Sequence, residues 1–491
     1  MSAPVESGGA PGVPEVRYRV PEDPFSADAV LGPLLPLLTP WLAERRWYEG
    51  TRVDRLLPCT ATVVREGAGA LVVAVVTAHG PTAPVAGTRY QLLLGVRPDL
   101  PERLAPHTLG TVPHGPWAGE QVYDALADPA LTGMLLRALA ADRAPGLRLE
   151  RAGRYPLPVG LVPRLLTGEQ SNSAVAYGDR LLLKLYRRPE PGPHTESEVL
   201  RALTAQDCPR TPRLYGSLHL TDPDGESLTL GLIEEFVPGA EDGWTSAVRS
   251  ARDHLPDTDG TGGAFTARAR TLGQAVAEVH QALARAFPRG RLSAAEIAED
   301  AARMKRRLAD AVREVPQLGR HQTRLTAVFD AYGRLAGRGC PVLAQRTHGD
   351  LHLGQALYTP GGWHIVDFEG EPATPAGERV LPQPVLRDVA GVLRSFDYAA
   401  RTALDALGDA ANPAEQARRR RRADAWALRN RRAFCAGYTA AGGEDPSCRT
   451  EQLTAFEAER AVYEAVYEAR HRPHWLPVPL AAVHRLAGAV T

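Results

Sequence analysis

Residues 345–371 read Gln-Arg-Thr-His-Gly-Asp-Leu-His-Leu-Gly-Gln-Ala-Leu-Tyr-Thr-Pro-Gly-Gly-Trp-His-Ile-Val-Asp-Phe-Glu-Gly-Glu, and this stretch decides the fold. A carboxylate able to take a proton, Asp350, is followed five residues later by the side-chain amide of Gln355. Residues 356–358 and 363–366 have the composition of two short strands, and the turn formers of 359–362 join them as a hairpin. The second strand delivers another carboxylate, Asp367, at its end.

That order is the order of a phosphoryl-transfer loop: a base, an amide able to hold magnesium, and a metal-binding Asp on the next strand. Phosphoryl transfer needs little covalent help from a protein. It needs an in-line hydroxyl, a group to orient it and divalent metal to offset charge on the phosphate oxygens. Base and first ligand come from one loop, so they lie a few residues apart; the second ligand crosses the site, so a hairpin intervenes. ATP and Mg2+ are the expected cofactors.

The length of 491 residues exceeds one ordinary core and suggests about three domains of roughly 150 residues. Lys+Arg and Asp+Glu both number 57, so no net field draws nucleic acid or an acidic membrane. Five scattered cysteines (Cys59, Cys208, Cys340, Cys435, Cys448) form no C-x-x-C pair, which argues against a zinc site or a disulfide framework and fits a reducing cytoplasm. No apolar run is long enough for a membrane span, and the Gly/Pro/Ala-rich start lacks the pattern of a signal peptide.

Working outward, residues 1–22 read as a disordered tail. Residues 23–104 read as a small cap subdomain, with a helix at 31–44 and strands at 61–64, 70–77 and 89–96. A helix is expected at 119–141, with Leu126, Leu131, Leu135, Leu136 and Leu139 as its stripe. An intermediate subdomain, 105–238, follows the order of a kinase N-lobe: strand 161–166, polar loop, strand 174–177, strand 180–186 with Lys184, a helix with Glu198, and strand 228–236. In the polar loop, Gln170, Ser171, Asn172 and Ser173 offer side-chain donors to phosphate. Glu198 is the expected ion-pair partner of Lys184, with Glu196 close by. The remainder, 239–491, reads as a mainly helical C-lobe. His280 reads as a packed structural residue, and the basic run 418–422 as a solvated helix face. Residues 454–470 form a helix with Tyr463, Tyr467 and Arg470 on one face and Glu468 further round; a stiff segment with Trp475 follows. Aromatic rings suit the C–H faces of a sugar and polar groups suit its hydroxyls, while a packing role for both tyrosines and the Trp stays equally open.

Several segments resemble the actinobacterial maltokinase family, in the aminoglycoside-phosphotransferase-like branch of the protein-kinase fold. They are 348–355, 367–372, 386–398, Glu235-Phe-Val-Pro with Asp242-Gly-Trp, and the Tyr-Glu-Ala-Val-Tyr-Glu-Ala-Arg helix running on to Pro477. The resemblance implies an α+β, bilobal kinase-like fold with an N-terminal α/β cap subdomain. It implies transfer of the ATP γ-phosphate to the anomeric hydroxyl of maltose, giving maltose 1-phosphate for α-glucan (glycogen) synthesis from trehalose. Asp350 would then be the base, Gln355 and Asp367 magnesium ligands, and Lys184 a phosphate grip. The backbone of Glu235 and Val237 would hold adenine. Tyr463, Tyr467, Glu468, Arg470 and Trp475, with His348, His352 and Glu369, would surround the acceptor. Trehalose synthase is the implied protein partner, and a monomer or homodimer the implied state. One departure stands out: 46–52 lacks the lysine of the Gly-Lys-Gly-Arg run that the family often carries after its early Arg-Trp. Two alternatives remain beside maltokinase: a sibling sugar kinase such as a glucosamine kinase, and a non-catalytic pseudokinase scaffold. Intact Lys184, Asp350, Gln355 and Asp367 argue against the scaffold.

Overall fold

The computed structural model describes residues 26–66, 69–81, 84, 87–167, 172–192, 194–255, 264–371, 374–408 and 412–488. The expected tail, and Gln170 and Ser171 of the polar loop, lie outside them. Contacts divide the chain into two compact units. No helix of the described residues is long and apolar enough to cross a membrane.

The first unit takes in 1–135, with 144–146 and 222–224. Helices α1 (Ala27–Leu31) and α2 (Leu35–Ala43) precede a five-stranded antiparallel sheet. Its strands are β1 (Arg55–Glu66), β2 (Gly69–His79), β3 (Thr88–Arg97), β4 (Thr108–Thr111) and β5 (Gln121–Asp124), in spatial order β1-β2-β3-β5-β4. β2 reads as a continuous apolar run because both its faces are covered: Leu71 to Val76 are all at most 1% exposed. Alternate β2 residues Val72, Ala74 and Val76 pack with Leu31, Leu34, Leu38 and Leu42 of the helical segment. A buried polar corner ties β3 to β5: fully buried Asp128 accepts from Arg97 at 2.6 Å and from Tyr123 at 2.8 Å. The helix expected at 119–141 is α3, Pro129–Ala140, and its first third is strand β5 instead. The apolar stripe was real, but Val122 and Tyr123 pair across to both β3 and β4, and tertiary pairing overrides local helical spacing there. Pro129, at the first helical position, marks the true start.

The second unit opens with a six-stranded antiparallel sheet: β6 (Leu147–Arg151), β7 (Pro163–Leu166), β8 (Ser173–Tyr177), β9 (Leu181–Leu185), β10 (Leu214–Thr221) and β11 (Ser227–Glu235), in order β6-β10-β11-β9-β8-β7. Helix α4 (Thr195–Ala205) runs between β9 and β10. Strands β6 and β10 are additions to the expected set. β9 is half open, Leu181, Leu183 and Leu185 being buried while Leu182 and Lys184 face a cleft.

Beyond β11, a two-residue strand β12 (Glu241–Asp242) leads into helices α5 (Gly243–His254), α6 (Ala264–Ala286), α7 (Ala294–Glu314) and α8 (Gln322–Gly333); the short strand β13 (Gly290–Arg291), between α6 and α7, pairs with β14 (Leu343–Ala344), which follows α8. The expected hairpin is present as β15 (Ala356–Thr359) and β16 (Gly362–Ile365). Helices α9 (Ala376–Arg379), α10 (Leu386–Ala406), α11 (Pro413–Ala440), α12 (Thr450–His471) and α13 (Pro477–Gly488) complete the chain. The helical core is aromatic at its centre: Phe396 meets Phe265 and Phe434 edge-on, and Trp426 lies tilted against Phe265. A sheet-bearing N-lobe and a helical C-lobe make this an aminoglycoside-phosphotransferase-like kinase fold.

Candidate active site

The loop from β14 to β15 is fixed from below by one buried carboxylate. Asp388, in the first turn of α10, accepts from the backbone N–H of His348 at 2.8 Å and of Gly349 at 2.9 Å, and its Oδ2 also lies 3.0 Å from His280 Nε2. Burial alone would raise its pKa; the His280 hydrogen bond and the nearby imidazoles outweigh that and hold it below the usual carboxylate range. His280 is thus the packed residue its place on α6 suggested, its other nitrogen meeting the Tyr438 hydroxyl at 2.9 Å. Gly349 has φ +87°, and a Cβ there would press on Gly370 at 3.1 Å, where the loop and the Asp-Phe-Glu-Gly turn meet. Gly391 lets α10 pass the loop; a Cβ there would collide with the Leu351 carbonyl.

On this base Asp350 projects toward α12. Its Oδ1 accepts from Arg460 at 2.7 Å. The same guanidinium lies 3.7 Å from Glu371, and its carbon sits 5.5 Å from the centre of the Tyr463 ring. Gly349, Glu371, Arg379, Glu459, Arg460 and Tyr463 line a cavity of about 190 Å³ beside the loop.

Lys184, from the cleft face of β9, gathers the second cluster. Its Nζ lies 2.8 Å from Glu196, 2.5 Å from Asp367 and 2.6 Å from Glu369. Burial would lower the lysine's pKa, and these three carboxylates more than reverse it. Asp367 is likewise held far below its usual value, the lysine outweighing burial, while burial raises Glu369. Asp367 adopts φ +71°, a left-handed conformation that aims its carboxylate back at Lys184 and at Gln355, whose Nε2 donates to Oδ2 at 2.7 Å. Asn172 donates to Glu369 at 2.6 Å, and Ser173 accepts from Arg187 at 2.8 Å. Glu235 and Val237 stand where β11 ends.

The lysine's partner is therefore Glu196 and not Glu198. On α4, Glu196 shares a face with Val199, Leu200 and Leu203, the stripe buried against the sheet, whereas Glu198 lies about 200° away around the helix. Glu198 pairs instead with Arg346, just before the catalytic loop.

The donor set suits magnesium, a hard cation that prefers carboxylate and carbonyl oxygen. Glu196, Asp367 and Glu369 each offer an oxygen within 4.8 Å of the others, and Gln355 borders the group. Three carboxylates around one ammonium leave an excess of negative charge for a cation to offset.

The acceptor wall is only partly as expected. Tyr463 and Tyr467 are exposed and stack on each other with centroids 6.4 Å apart. Trp475 stacks on Tyr398 at 6.3 Å. Arg472 lies over both Tyr467 and Trp475. Glu468, however, is 2% exposed, because it shares the inward stripe of α12 with Ala461 and Ala465; it accepts from Arg472 at 2.8 Å and faces no open space. Arg470 turns to Glu314 on α7. His348 is buried, with Nε2 2.9 Å from the Val366 carbonyl, and so braces the loop. His352 caps the turn before β15 by accepting from the Gly354 N–H, and Glu369 belongs to the Lys184 cluster. Arg460, Glu371 and Asp388 escaped the sequence reading. Arg460 sits one turn before Tyr463 on α12, and that spacing was the available signal.

A catalytic loop, hairpin and lysine strand in this arrangement define a phosphotransferase of the kinase-like fold. The description "phosphotransferase enzyme family" matches residues 163–423, and "maltokinase N-terminal cap domain" matches 41–128. The chain belongs to the phosphotransferase enzyme family, as a maltokinase-like member and a kinase. It is 32% identical over 325 residues to a glucosamine kinase of Streptacidiphilus jiangxiensis, covering 63% of this chain and 70% of that protein. It is 31% identical over 336 residues to a glucosamine kinase of Mycolicibacterium smegmatis, covering 66% and 79%. A solved glucosamine kinase in complex with glucosamine, ADP and inorganic phosphate superposes with TM-score 0.63 at 25% identity, covering 92% of this chain and 98% of that one.

Proposed function

We propose that the chain is a sugar kinase that uses ATP and Mg2+. The observation that carries this is the convergence of Lys184, Asp367 and Gln355 within 2.5 and 2.7 Å contacts, with Asp350 on the same short loop as Gln355. Asp350 accepts the proton of the acceptor hydroxyl, whose oxygen attacks the γ-phosphorus as the bond to the β-phosphate oxygen breaks and ADP leaves. Among the described residues only its Oδ1 is engaged, by Arg460, which leaves Oδ2 for the hydroxyl. Lys184 holds phosphate oxygens and is itself oriented by Glu196. Gln355 and Asp367 would hold magnesium, which supplies positive charge to the phosphate oxygens. Asn172 and Ser173, with Gln170 and Ser171, supply donors to the phosphates, and the backbone of Glu235 and Val237 takes the base.

The geometry favours an amino sugar of the glucosamine class as acceptor. An ammonium calls for a carboxylate beside the reacting hydroxyl, and Glu371 stands there, 3.7 Å from the guanidinium that grips Asp350. The names of the relatives support the same acceptor. A second reading, maltose phosphorylated at the anomeric hydroxyl to feed α-glucan synthesis, is favoured by the cap domain and by the exposed Tyr463–Tyr467 pair; trehalose synthase is its natural partner. The test is an acceptor panel of glucosamine, maltose, glucose and trehalose with magnesium-ATP, scored by ADP release and by NMR assignment of the phosphorylated carbon. Glucosamine turnover at least tenfold above maltose is expected. The reverse order establishes the maltose reading, and ADP release with none of the sugars refutes a kinase for this acceptor class.

A further inference from the structure

β11 carries a carboxyl that the phosphate cluster does not use. Glu234 is 6% exposed, and among the described residues no hydrogen bond or ion pair reaches its side chain. In the antiparallel register Leu232 lies opposite Lys184 and Glu234 opposite Leu182. Directly opposed residues share a face, so Glu234 leaves the sheet on the cleft side, two residues from the level of Lys184, or roughly 7 Å along the strand. On that face β8 presents Ala174 and Ala176 opposite Lys184 and Leu182. Leu182 is part-exposed there, with the buried Ala174 and Ala176 beneath the same face, a small apolar floor of the kind the edge of a flat ring covers. The carboxyl of Glu234 stands at the edge of this floor, and the next residues along the chain are Glu235, Phe236 and Val237.

A carboxyl on a residue buried to this degree gives up most of its hydration and, with no protein donor, receives nothing from the protein in return. Burial, and then the charge of Glu196, push its pKa up, as expected of an acid without a protein partner. A packing role would be served better by leucine. What distinguishes a carboxylate from leucine here is that it accepts hydrogen bonds.

We propose that Glu234 reads the base of the bound nucleotide, accepting from an exocyclic amino group and so favouring adenine over a base with a carbonyl at that place. This rests on the reading of the cleft as a nucleotide site. Hypoxanthine replaces the adenine amino group by a carbonyl, so two acceptors would then face each other across the Glu234 contact; its N1 also turns from an acceptor into a donor, a change that the Glu234 variants, which leave the backbone alone, separate from the contact to Glu234.

The full chain is titrated calorimetrically with magnesium-ADP and magnesium-IDP, as wild type, Glu234→Gln and Glu234→Leu, with sugar phosphorylation assayed in parallel. At about pH 8.5, where a carboxyl whose pKa burial raises to about 8 is mostly ionised, Glu234 is expected to contribute roughly 10- to 100-fold to the preference of wild type for ADP, the range for a hydrogen bond to a charged group. The glutamine amide can also donate to a carbonyl, so Glu234→Gln is expected to narrow the preference by about tenfold. Glu234→Leu is expected to narrow it by roughly 10- to 100-fold, leaving the share that the backbone of Glu235 and Val237 sets, without a lower melting temperature, which separates base reading from a folding role. An ADP preference absent in wild type, or unchanged in both variants, overturns the proposal. Sugar turnover with an unchanged preference overturns this inference alone; a preference that follows Glu234 without turnover of any sugar overturns the kinase reading alone. Binding of neither diphosphate overturns both.

Discussion

Replacing Asp388 by Asn tests whether the catalytic loop is held from beneath. The carboxylate accepts two consecutive backbone N–H groups, at 2.8 and 2.9 Å, and faces His280 at 3.0 Å. An amide has one oxygen, so one acceptor position becomes an NH2 group aimed at a donor. One buried N–H then goes unpaired, at about 1–3 kcal/mol, and the bond that survives loses its charge. The sum is about 3–5 kcal/mol, the usual cost of breaking a buried charged pair. At a few °C per kcal/mol, the melting temperature should fall by roughly 10 °C. The effect on turnover is the sharper measure. His348 and Gly349 immediately precede Asp350, and a shift of about 1 Å in a positioned base costs roughly 100-fold. Thermal unfolding and steady-state sugar phosphorylation are measured side by side. A variant within about 2 °C and twofold of wild type would show that Asp388 does not set the position of Asp350, and the account of the loop would fail.

Glu196→Gln should raise the KM for ATP at least tenfold by loosening Lys184, whereas Glu198→Gln should change it less than threefold; equal effects would return Glu198 to the lysine. Asp350→Asn should lower kcat by roughly 100- to 10,000-fold with acceptor affinity retained, and unchanged turnover removes Asp350 from the mechanism. Asp367→Ala should abolish magnesium-dependent turnover, and full activity in that variant would place the metal elsewhere. His194 is held neutral, burial and then Lys184 lowering its pKa to about 3 from an unfolded value near 6.5. As pH falls from about 6.5 toward 3 the unfolded chain takes up a proton that the folded chain refuses, so stability should decline across that window. His194→Gln should flatten that part of the stability–pH curve; an identical slope in the variant would assign it to other groups.

The loop of Asp350 and Gln355 and the hairpin that ends in Asp367 were legible because their geometry is local. Asp350, Gln355 and Asp367 are set by the reach of one turn and one hairpin, and sequence spacing measures that reach directly. Lys184 was legible for the same reason, as the one polar residue in an apolar strand. What was misjudged depended on which way a helix faces. Glu196 and Glu198 differ by two positions, which is nearly the opposite side of α4; the stripe Val199, Leu200, Leu203 would have chosen between them. Tyr463, Tyr467 and Arg470 do follow one spacing, yet Arg470 finds Glu314 across on α7, and no reading of α12 alone predicts a neighbour 156 residues away. β6 and β10 were missed because strands such as Leu-Arg-Leu-Glu-Arg become strands only by pairing with each other.

The same dependence on distant neighbours ties the exposed face of α12 to Asp350. Arg460 holds Asp350 at 2.7 Å and lies 3.8 Å from Glu464 on its own helix. Glu464 is gripped by Arg394 of α10 at 2.6 Å, and Arg394 by Asp397 at 2.7 Å, which also takes Arg485 of α13 at 2.7 Å. Arg394 is 1% exposed. Apolar side chains of similar volume would often stabilise such a position as well or better, since buried ion pairs rarely return more than their desolvation. Directional partners, however, fix a guanidinium where packing alone would let it slide. α12 carries both Arg460 and the exposed tyrosines, so whatever sets the register of that helix sets the distance from those rings to Asp350, the base proposed above. Phosphoryl transfer tolerates little error in that distance. A chain of charges that is buried at Arg394 and reaches an exposed Arg485 on α13 is therefore better understood as alignment of α12 with Asp350, the base proposed above, than as a source of stability.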